Sequence, residues 1–167
     1  AAAFILAAAG IKMAKNGNRN MTSRSGSMDV LKALGINTIN DEAQARRLLA
    51  ENNLVFLNAG HIHPSLKSIA AVRKRLRIPT IFNVIGPLTN PVPLDYQMVG
   101  IYDESLLEIY GRALMKAGRK RAAVIHGAGG MDEASLAGDN AIVLVNKNGL
   151  KRINLHPSEL GLTVRAN

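Results

Sequence analysis

Residues 96–126 read YQMVGIYDESLLEIYGRALMKAGRKRAAVIH, and their pattern decides the fold class. Short apolar runs at residues 96–102 and at Arg121–His126 are typical of buried strands. Between them, apolar residues recur with the helical period over residues 104–117, and Gly118 is a typical helix stop. A strand, a helix and a second strand in this order predict parallel strands joined by a crossover helix.

The alternation of strands and helices continues on both sides of this unit. The sequence predicts helices at residues 1–9, 29–34, 41–52 (with Asn40 as the cap) and 63–76, and strands at residues 11–14 and 54–57. Residues 86–91 predict an irregular rigid loop. Residues 140–145 and 151–155 predict a hairpin around Asn148-Gly149. We therefore expect one α/β domain over residues 1–167, with a mostly parallel central sheet, flanking helices and a terminal antiparallel hairpin.

Composition limits the classes of function. The chain has no cysteine, which excludes disulfides and thiolate metal sites and fits a reducing compartment. Its net charge of +9 favours anionic partners, which could be nucleic acid, a phosphorylated metabolite or an acidic surface. The opening AAAFILAAAGI is too short to span a bilayer and does not have the pattern of a signal peptide, so we expect a soluble, cytoplasmic protein without a membrane partner.

The first candidate site is KMAKNGNRNMTSRSGSMD, residues 12–29, which carries four cations and four hydroxyls before the first acidic residue of the chain. It lies between a predicted strand and a predicted helix, where α/β proteins commonly bind ligands. Exposed backbone N–H groups with lysine, arginine and hydroxyl side chains could hold phosphate oxygens. A solvated basic loop with a helix cap explains the same residues, and spacing alone does not decide between the two.

The second candidate site is HGAGGMDEAS, residues 126–135, in which Asp132 and Glu133 follow a strand and a glycine turn. Magnesium commonly takes one or two carboxylates and leaves coordination positions for substrate phosphates. The alternative is a helix N-terminus, where acidic residues in the first turn are favourable.

Four motifs together resemble one family. They are AKNGNRNMTSRSGSMDVLKALGI (14–36), HPSLKSIAAVRKRL (63–76), TIFNVIGPLTNP (80–91) and GGMDEASL (129–136), and their order and spacing are similar to those of the anthranilate phosphoribosyltransferase family. The resemblance implies a fold like the large domain of nucleoside phosphorylases. It also implies transfer of phosphoribose from phosphoribosyl pyrophosphate (PRPP) to anthranilate in tryptophan biosynthesis, with Mg²⁺ as cofactor and pyrophosphate as product.

The resemblance also assigns residues to the site. The PRPP-binding positions are Lys15, Asn16, Gly17, Asn18, Arg19, Asn20, Met21, Thr22, Ser23 and Ser27. The anthranilate-binding positions are Asn18, Arg73, His63 and Pro87, of which His63 and Pro87 match walls of the acceptor channel. The magnesium positions are Asp132 and Glu133. No residue is assigned as a proton acceptor.

The sequence departs from the family at two positions and in its extent. Asn16 stands where the family usually has His, and Pro79 stands where Arg is common. The resemblance implies that the family's small N-terminal helical domain and its C-terminal helices lie outside this chain. We therefore expect the chain to be inactive alone and the complete protein to be a homodimer.

Two alternatives stay open. The basic charge would suit a non-catalytic nucleic-acid-binding relative of the same fold, although aromatic residues for base stacking make up only 4% of the chain. A pyrimidine nucleoside phosphorylase would share the architecture. The combination of Asn18, Arg73 and the loop at residues 86–91 favours anthranilate as the acceptor.

Overall fold

The structure is a computed structural model that describes residues 2–17, 27–58 and 80–165, with the backbone alone at Ser27, Phe82 and Asn83. The chain divides into two compact units, Ala1–Val92 and Pro93–Asn167. Each unit contains helices and parallel strands. The prediction that the whole chain is one α/β domain stays a prediction.

The N-terminal unit is built around two parallel strands. Its elements are helix α1 (Ala2–Ala8), strand β1 (Met13–Gly17), helices α2 (Ser27–Ala33) and α3 (Glu42–Asn52), strand β2 (Leu54–Asn58), helix α4 (Ile81–Ile85) and a 3-10 turn (Gly86–Thr89). The register of β1 and β2 runs from Met13 opposite Leu54 to Gly17 opposite Asn58. Both strands therefore end at the same edge, where α/β proteins commonly bind ligands.

The two strands of the N-terminal unit carry apolar clusters because successive side chains point to opposite faces. One cluster consists of Ala3, Met28, Leu31 and Phe56. The ring of Phe56 also lies 5.4 Å from that of Phe4, between centroids. The other cluster consists of Ile39, Val55 and Leu57. Both faces are thus covered, as expected for parallel strands.

The C-terminal unit is a four-stranded sheet with the order β3-β4-β5-β6. Its elements are β3 (Tyr96–Gly100), a 3-10 turn (Glu104–Leu106), helix α5 (Leu107–Lys116), β4 (Arg121–His126), β5 (Asn140–Asn146), β6 (Gly149–Leu155) and a final 3-10 turn (Pro157–Leu160). β3 and β4 are parallel, and the later neighbours are antiparallel. The predicted α/β class with a terminal antiparallel hairpin is therefore confirmed.

Helix α5 covers one face of this sheet. Leu107 and Leu114 are fully buried, and Tyr110 is 3% exposed. Gly111 allows close approach, since a Cβ there would lie 2.8 Å from Leu150 Cδ2 and 2.9 Å from Val143 Cγ1. Gly118 then adopts a φ of +80°, which ends the helix as its position predicted.

Several predicted boundaries were wrong. Asp41, not Asn40, caps α3, and its carboxylate accepts a hydrogen bond of 2.7 Å from the Gln44 N–H. The predicted strand at residues 11–14 is instead Met13–Gly17, because backbone pairing with β2 continues past the apolar residues. The loop at residues 86–91 begins with a regular 3-10 turn that has Pro87 in its first turn, where a missing N–H costs little. The predicted helix at residues 63–76 lies outside the described residues.

Burial of Tyr110 predicts a loss of stability at alkaline pH. Burial raises the pKa of Tyr110 to about 12. Since the unfolded chain deprotonates near pH 10, the raised folded-state pKa stabilises the fold below pH 10, and this contribution is lost as the pH rises towards 12. We expect the free energy of unfolding to fall by about 2–3 kcal/mol from this group in urea titrations across that range.

The matched variants for this prediction are Tyr110→Phe and Tyr102→Phe, the latter at a position that is 51% exposed. Tyr110→Phe should remove this part of the alkaline loss, while Tyr102→Phe should keep it. An identical alkaline slope in wild type and Tyr110→Phe would show that Tyr110 does not cause it.

Candidate functional site

The predicted phosphate loop begins at the carboxyl end of β1. Lys15, Asn16 and Gly17 are the last three residues of that strand and are half-buried. Ser27 is the first residue of α2. The other PRPP positions, Asn18, Arg19, Asn20, Met21, Thr22 and Ser23, lie outside the described residues. The structure thus describes both ends of the loop, one at the end of a strand and the other at the start of a helix.

Asn16 has an unusual environment for an amide. Its Oδ1 is buried and finds no hydrogen-bond donor among the described residues. An unpaired buried carbonyl oxygen costs about 1–3 kcal/mol. This atom is therefore an acceptor that no described residue uses, on the strand that leads into the predicted phosphate loop.

The turn that contains Pro87 lies beside β1. The 3-10 turn Gly86–Thr89 contacts this strand, and Asn90 Nδ2 donates a 3.0 Å hydrogen bond to the Ala14 carbonyl. The Asn90 Oδ1 in turn accepts from the Val92 N–H at 3.0 Å. The loop predicted at residues 86–91 and the strand that leads into the predicted phosphate loop are thus in contact within the N-terminal unit. His63, Arg73 and Pro79 lie outside the described residues.

A cleft of about 180 Å³ opens where β1 and β2 end. Its lining residues are Gly17, Met28, Lys32, Ile36, Asn37, Thr38 and Asn58. Gly17 packs directly against Met28, so a Cβ on Gly17 would overlap the methionine methyl group. Of these residues, only Gly17 was predicted to belong to a binding site. Asn58 could have been predicted to line this cleft, because it is the polar residue at the end of an apolar strand.

Asp132 and Glu133 lie in the C-terminal unit, in a segment that we call the acid loop, residues 127–139. The segment contains turns, bends and an isolated bridge between Gly127 and Met131 but no helix, so the alternative of a helix N-terminus at the acid pair was wrong. The Gly127 N–H donates to the Met131 carbonyl at 2.8 Å, and the Met131 N–H donates back to the Gly127 carbonyl at 3.2 Å. Both acidic residues are exposed. The fold therefore presents two adjacent carboxylates directly after a hydrogen-bonded turn.

These carboxylates fit a magnesium ion that is shared with a substrate. Residues 2–17, 27–58 and 80–165 contain no group of three or more His, Asp or Glu side chains that could hold a metal. Magnesium does not need such a group, since it commonly keeps several waters and binds one or two carboxylates with substrate phosphates. In the described part of the chain, neither carboxylate is held in an ion pair.

Asn140 closes the acid loop, a role that was not predicted from the sequence. The residue is 3% exposed. Its Oδ1 accepts from the Ser135 N–H at 2.7 Å, and its Nδ2 donates to the carbonyls of Ser135, Gly138 and Leu155 at 3.0, 3.0 and 3.1 Å. One side chain thus joins the loop to the end of β6. Nothing in its sequence position distinguishes it from an ordinary first residue of a strand.

No side-chain role was predicted for Asp103, which follows β3, or for His126, which ends β4. Ser105 donates to Asp103 Oδ1 from its hydroxyl at 2.7 Å and from its N–H at 3.0 Å, and these bonds lower the pKa of Asp103, with a smaller effect from His126. His126 Nδ1 lies 3.1 Å from the Ile101 carbonyl oxygen. Because a carbonyl oxygen only accepts, Nδ1 carries the proton in this bond.

Comparison with known sequences supports the predicted resemblance. The anthranilate phosphoribosyltransferase of Oceanobacillus iheyensis is 52% identical over 165 residues, which cover 99% of this chain and 48% of that protein. The enzyme of the same name from Exiguobacterium sibiricum is 55% identical over 163 residues, covering 98% and 48%. The chain therefore spans about half the length of the curated relatives that it matches.

Solved structures give the same result. Anthranilate phosphoribosyltransferase from Thermus thermophilus matches with a TM-score of 0.87 and 38% identity, over 98% of this chain and 48% of that one. The enzyme from Saccharomyces cerevisiae in complex with PRPP and Mg matches with a TM-score of 0.84 and 29% identity, over 98% and 46%. Within the described residues, no helix is both long and apolar enough to cross a membrane. The model of the glycosyl transferase family, a/b domain, matches residues 1–167, and the chain belongs to this family.

Proposed function

We propose that the complete protein transfers the phosphoribosyl group of PRPP to the amino group of anthranilate, with release of pyrophosphate, in tryptophan biosynthesis. The observation that carries the proposal is the similarity of nearly the whole chain to anthranilate phosphoribosyltransferases at 52% and 55% identity. The Saccharomyces cerevisiae enzyme has been solved in complex with PRPP and Mg, and also in complex with 4-fluoroanthranilate.

We assign PRPP to residues 15–23 and Ser27. Transfer requires stabilisation of the charge that develops on the leaving pyrophosphate, which is commonly the largest catalytic contribution. Lys15 and Arg19 are the cations of this segment, and the hydroxyls of Thr22 and Ser23 supply directed hydrogen bonds. The start of this segment at the end of β1 supports the assignment, since ligands of α/β proteins bind at such edges.

Asp132 and Glu133 are proposed to hold Mg²⁺. The bound ion would neutralise charge on the pyrophosphate group. The two residues contribute exposed, adjacent carboxylates without an ion-pair partner among the described residues. Their role is therefore to supply oxygen ligands at a fixed place.

Anthranilate is proposed to bind through Arg73 and Asn18, with His63 and Pro87 as walls of the acceptor site. A guanidinium group suits a carboxylate because it can form two parallel hydrogen bonds. The aromatic amine is already unprotonated at neutral pH, so the main requirement is its position relative to the ribose carbon. We assign no proton acceptor.

We further propose that the complete protein is a cytoplasmic homodimer that does not bind nucleic acid. The absence of cysteine fits a reducing compartment. The scarcity of aromatic residues argues against a surface that stacks bases.

The proposed function predicts that the complete protein consumes anthranilate when PRPP and Mg²⁺ are present. Asp132→Ala or Glu133→Ala should raise the Mg²⁺ concentration needed for half-maximal rate by about tenfold, equivalent to about 1.4 kcal/mol. Arg73→Ala should chiefly raise the KM for anthranilate. The loss of anthranilate fluorescence follows the reaction directly.

Asp139→Ala is a suitable control because Asp139 is an exposed acidic residue of the same loop. It should leave the Mg²⁺ requirement unchanged. Constant fluorescence at saturating PRPP together with tight, salt-sensitive DNA binding would favour the nucleic-acid-binding alternative. If Asp132→Ala, Glu133→Ala and Arg73→Ala all had equal and modest effects on both the Mg²⁺ requirement and the KM for anthranilate, the three residues would have only a structural role.

A further inference from the structure

Two glycines lie directly against the backbone of the acid pair. Gly100 ends β3, and a Cβ added there would overlap the carbonyl oxygen of Asp132. Gly127 follows β4, and a Cβ added there would overlap the carbonyl oxygen of Glu133. In both cases the obstacle is backbone rather than the end of a flexible side chain. Even a methyl group at either position would therefore require the acid loop to move.

The two contacts act on neighbouring residues from neighbouring strands. β3 and β4 are parallel, with Gly100 opposite Ile125, so the two glycines belong to adjacent strand ends. The hydrogen bonds between Gly127 and Met131 close the turn that precedes the acid pair. The backbone before Asp132, at Asp132 and at Glu133 is thus fixed on one side by the sheet.

Neither glycine is explained by a special backbone conformation. The φ angles of Gly100 and Gly127 are outside the positive range that favours glycine, whereas those of Gly129 and Gly130 are +80° and +78°. Glycine is needed at Gly100 and Gly127 because of the close approach of another backbone segment.

We infer that Gly100 and Gly127 are positioning residues for the carboxylates of Asp132 and Glu133. The inference rests on the proposed function in naming magnesium as the ion that these carboxylates bind. A loop seated on two strand ends holds both carboxylates before the ion arrives, so less conformational entropy is lost on binding. Displacement of the loop should therefore weaken metal binding more than the binding of anthranilate.

The test compares Gly100→Ala and Gly127→Ala with Gly138→Ala in the complete protein. Gly138 lies in the same loop, but a Cβ there would be 3.6 Å from the Ala128 Cβ, an ordinary contact. Mn²⁺ serves as the probe because it also prefers oxygen ligands, and water-proton relaxation reports its binding in the presence of pyrophosphate. We expect affinity to fall at least tenfold in the first two variants and to stay within twofold in Gly138→Ala. Wild-type affinity in both folded variants would overturn the inference.

Amide hydrogen exchange provides a second readout that does not depend on metal or activity. In the wild type, the Met131 amide should be protected, and this protection should fall in Gly100→Ala and Gly127→Ala but not in Gly138→Ala. If an alanine variant does not fold, the wild-type measurement decides, and rapid exchange at Met131 overturns the inference. If the wild-type protein binds no Mn²⁺, the magnesium assignment fails, and the positioning role is then judged by exchange alone.

Discussion

Asn140→Ala is expected to lower the free energy of unfolding by about 3 kcal/mol. The residue is 3% exposed and makes four hydrogen bonds to the backbone, one as acceptor and three in which its two Nδ2 hydrogens are shared among three carbonyls. Alanine would leave the buried Ser135 N–H without its acceptor and three carbonyls without their donor. Each buried group that loses its partner costs about 1–3 kcal/mol, and water reaching the half-buried carbonyls would recover part of the loss.

Urea unfolding checks this prediction, with Asn154→Ala as the matched control. Asn154 is exposed on β6, so its replacement should cost less than about 0.5 kcal/mol. Asn140→Asp makes the test sharper, because it keeps the acceptor for Ser135 but directs a carboxylate oxygen at three carbonyls. It should be at least as destabilising as Asn140→Ala. Similar small losses for Asn140→Ala and Asn154→Ala would show that the four bonds do not stabilise the loop.

The sequence predicted those parts of the fold that depend on local side-chain pattern. Helix α5 has an apolar face, and Gly118 ends it with a φ of +80°. β4 was predicted with its observed bounds, because its apolar run is flanked by basic residues and glycine. The prediction of β1 was wrong because Lys15 and Asn16 are polar, although their backbones pair with Phe56 and Leu57. Side-chain pattern does not report such pairing.

The sequence could propose candidate site residues where they are adjacent in the chain. Asp132 and Glu133 were proposed as magnesium ligands because paired acids after a glycine turn suit that ion, and this assignment stays a prediction. The contribution of Gly100 could not be found in this way, since it depends on contact with a residue far along the chain. The hydrogen bonds of Asn140 likewise depend on how the loop closes. Propensity and spacing contain no information about either contact.

Two kinds of residue therefore surround the acid pair, and substitutions of the two kinds should have different effects on stability and metal affinity. Gly100 and Gly127 touch the backbone of the pair itself, so changing them should alter metal affinity. Asn140 holds the loop to the end of β6, so its loss should affect both stability and metal affinity. A residue in the core under α5 should affect stability alone.

Leu114→Ala is expected to destabilise the C-terminal unit by about 3 kcal/mol without changing metal affinity under native conditions. Leu114 is fully buried in α5, whose buried face packs on the sheet. Truncation removes apolar contacts and leaves a cavity, whereas Leu114→Met nearly conserves volume and should cost less than about 1.5 kcal/mol. Ile109→Ala is the control on the same helix, because Ile109 is 64% exposed.

Urea unfolding and Mn²⁺ binding on the same variants separate packing from positioning. Equal stability losses for Leu114→Ala and Ile109→Ala would contradict the packing of α5 on the sheet. A large loss of metal affinity in folded Leu114→Ala would show that the acid loop depends on the whole core. The expected result is lower stability with unchanged metal affinity. It would indicate that the positions of the two carboxylates depend on the direct contacts at Gly100 and Gly127 rather than on the core.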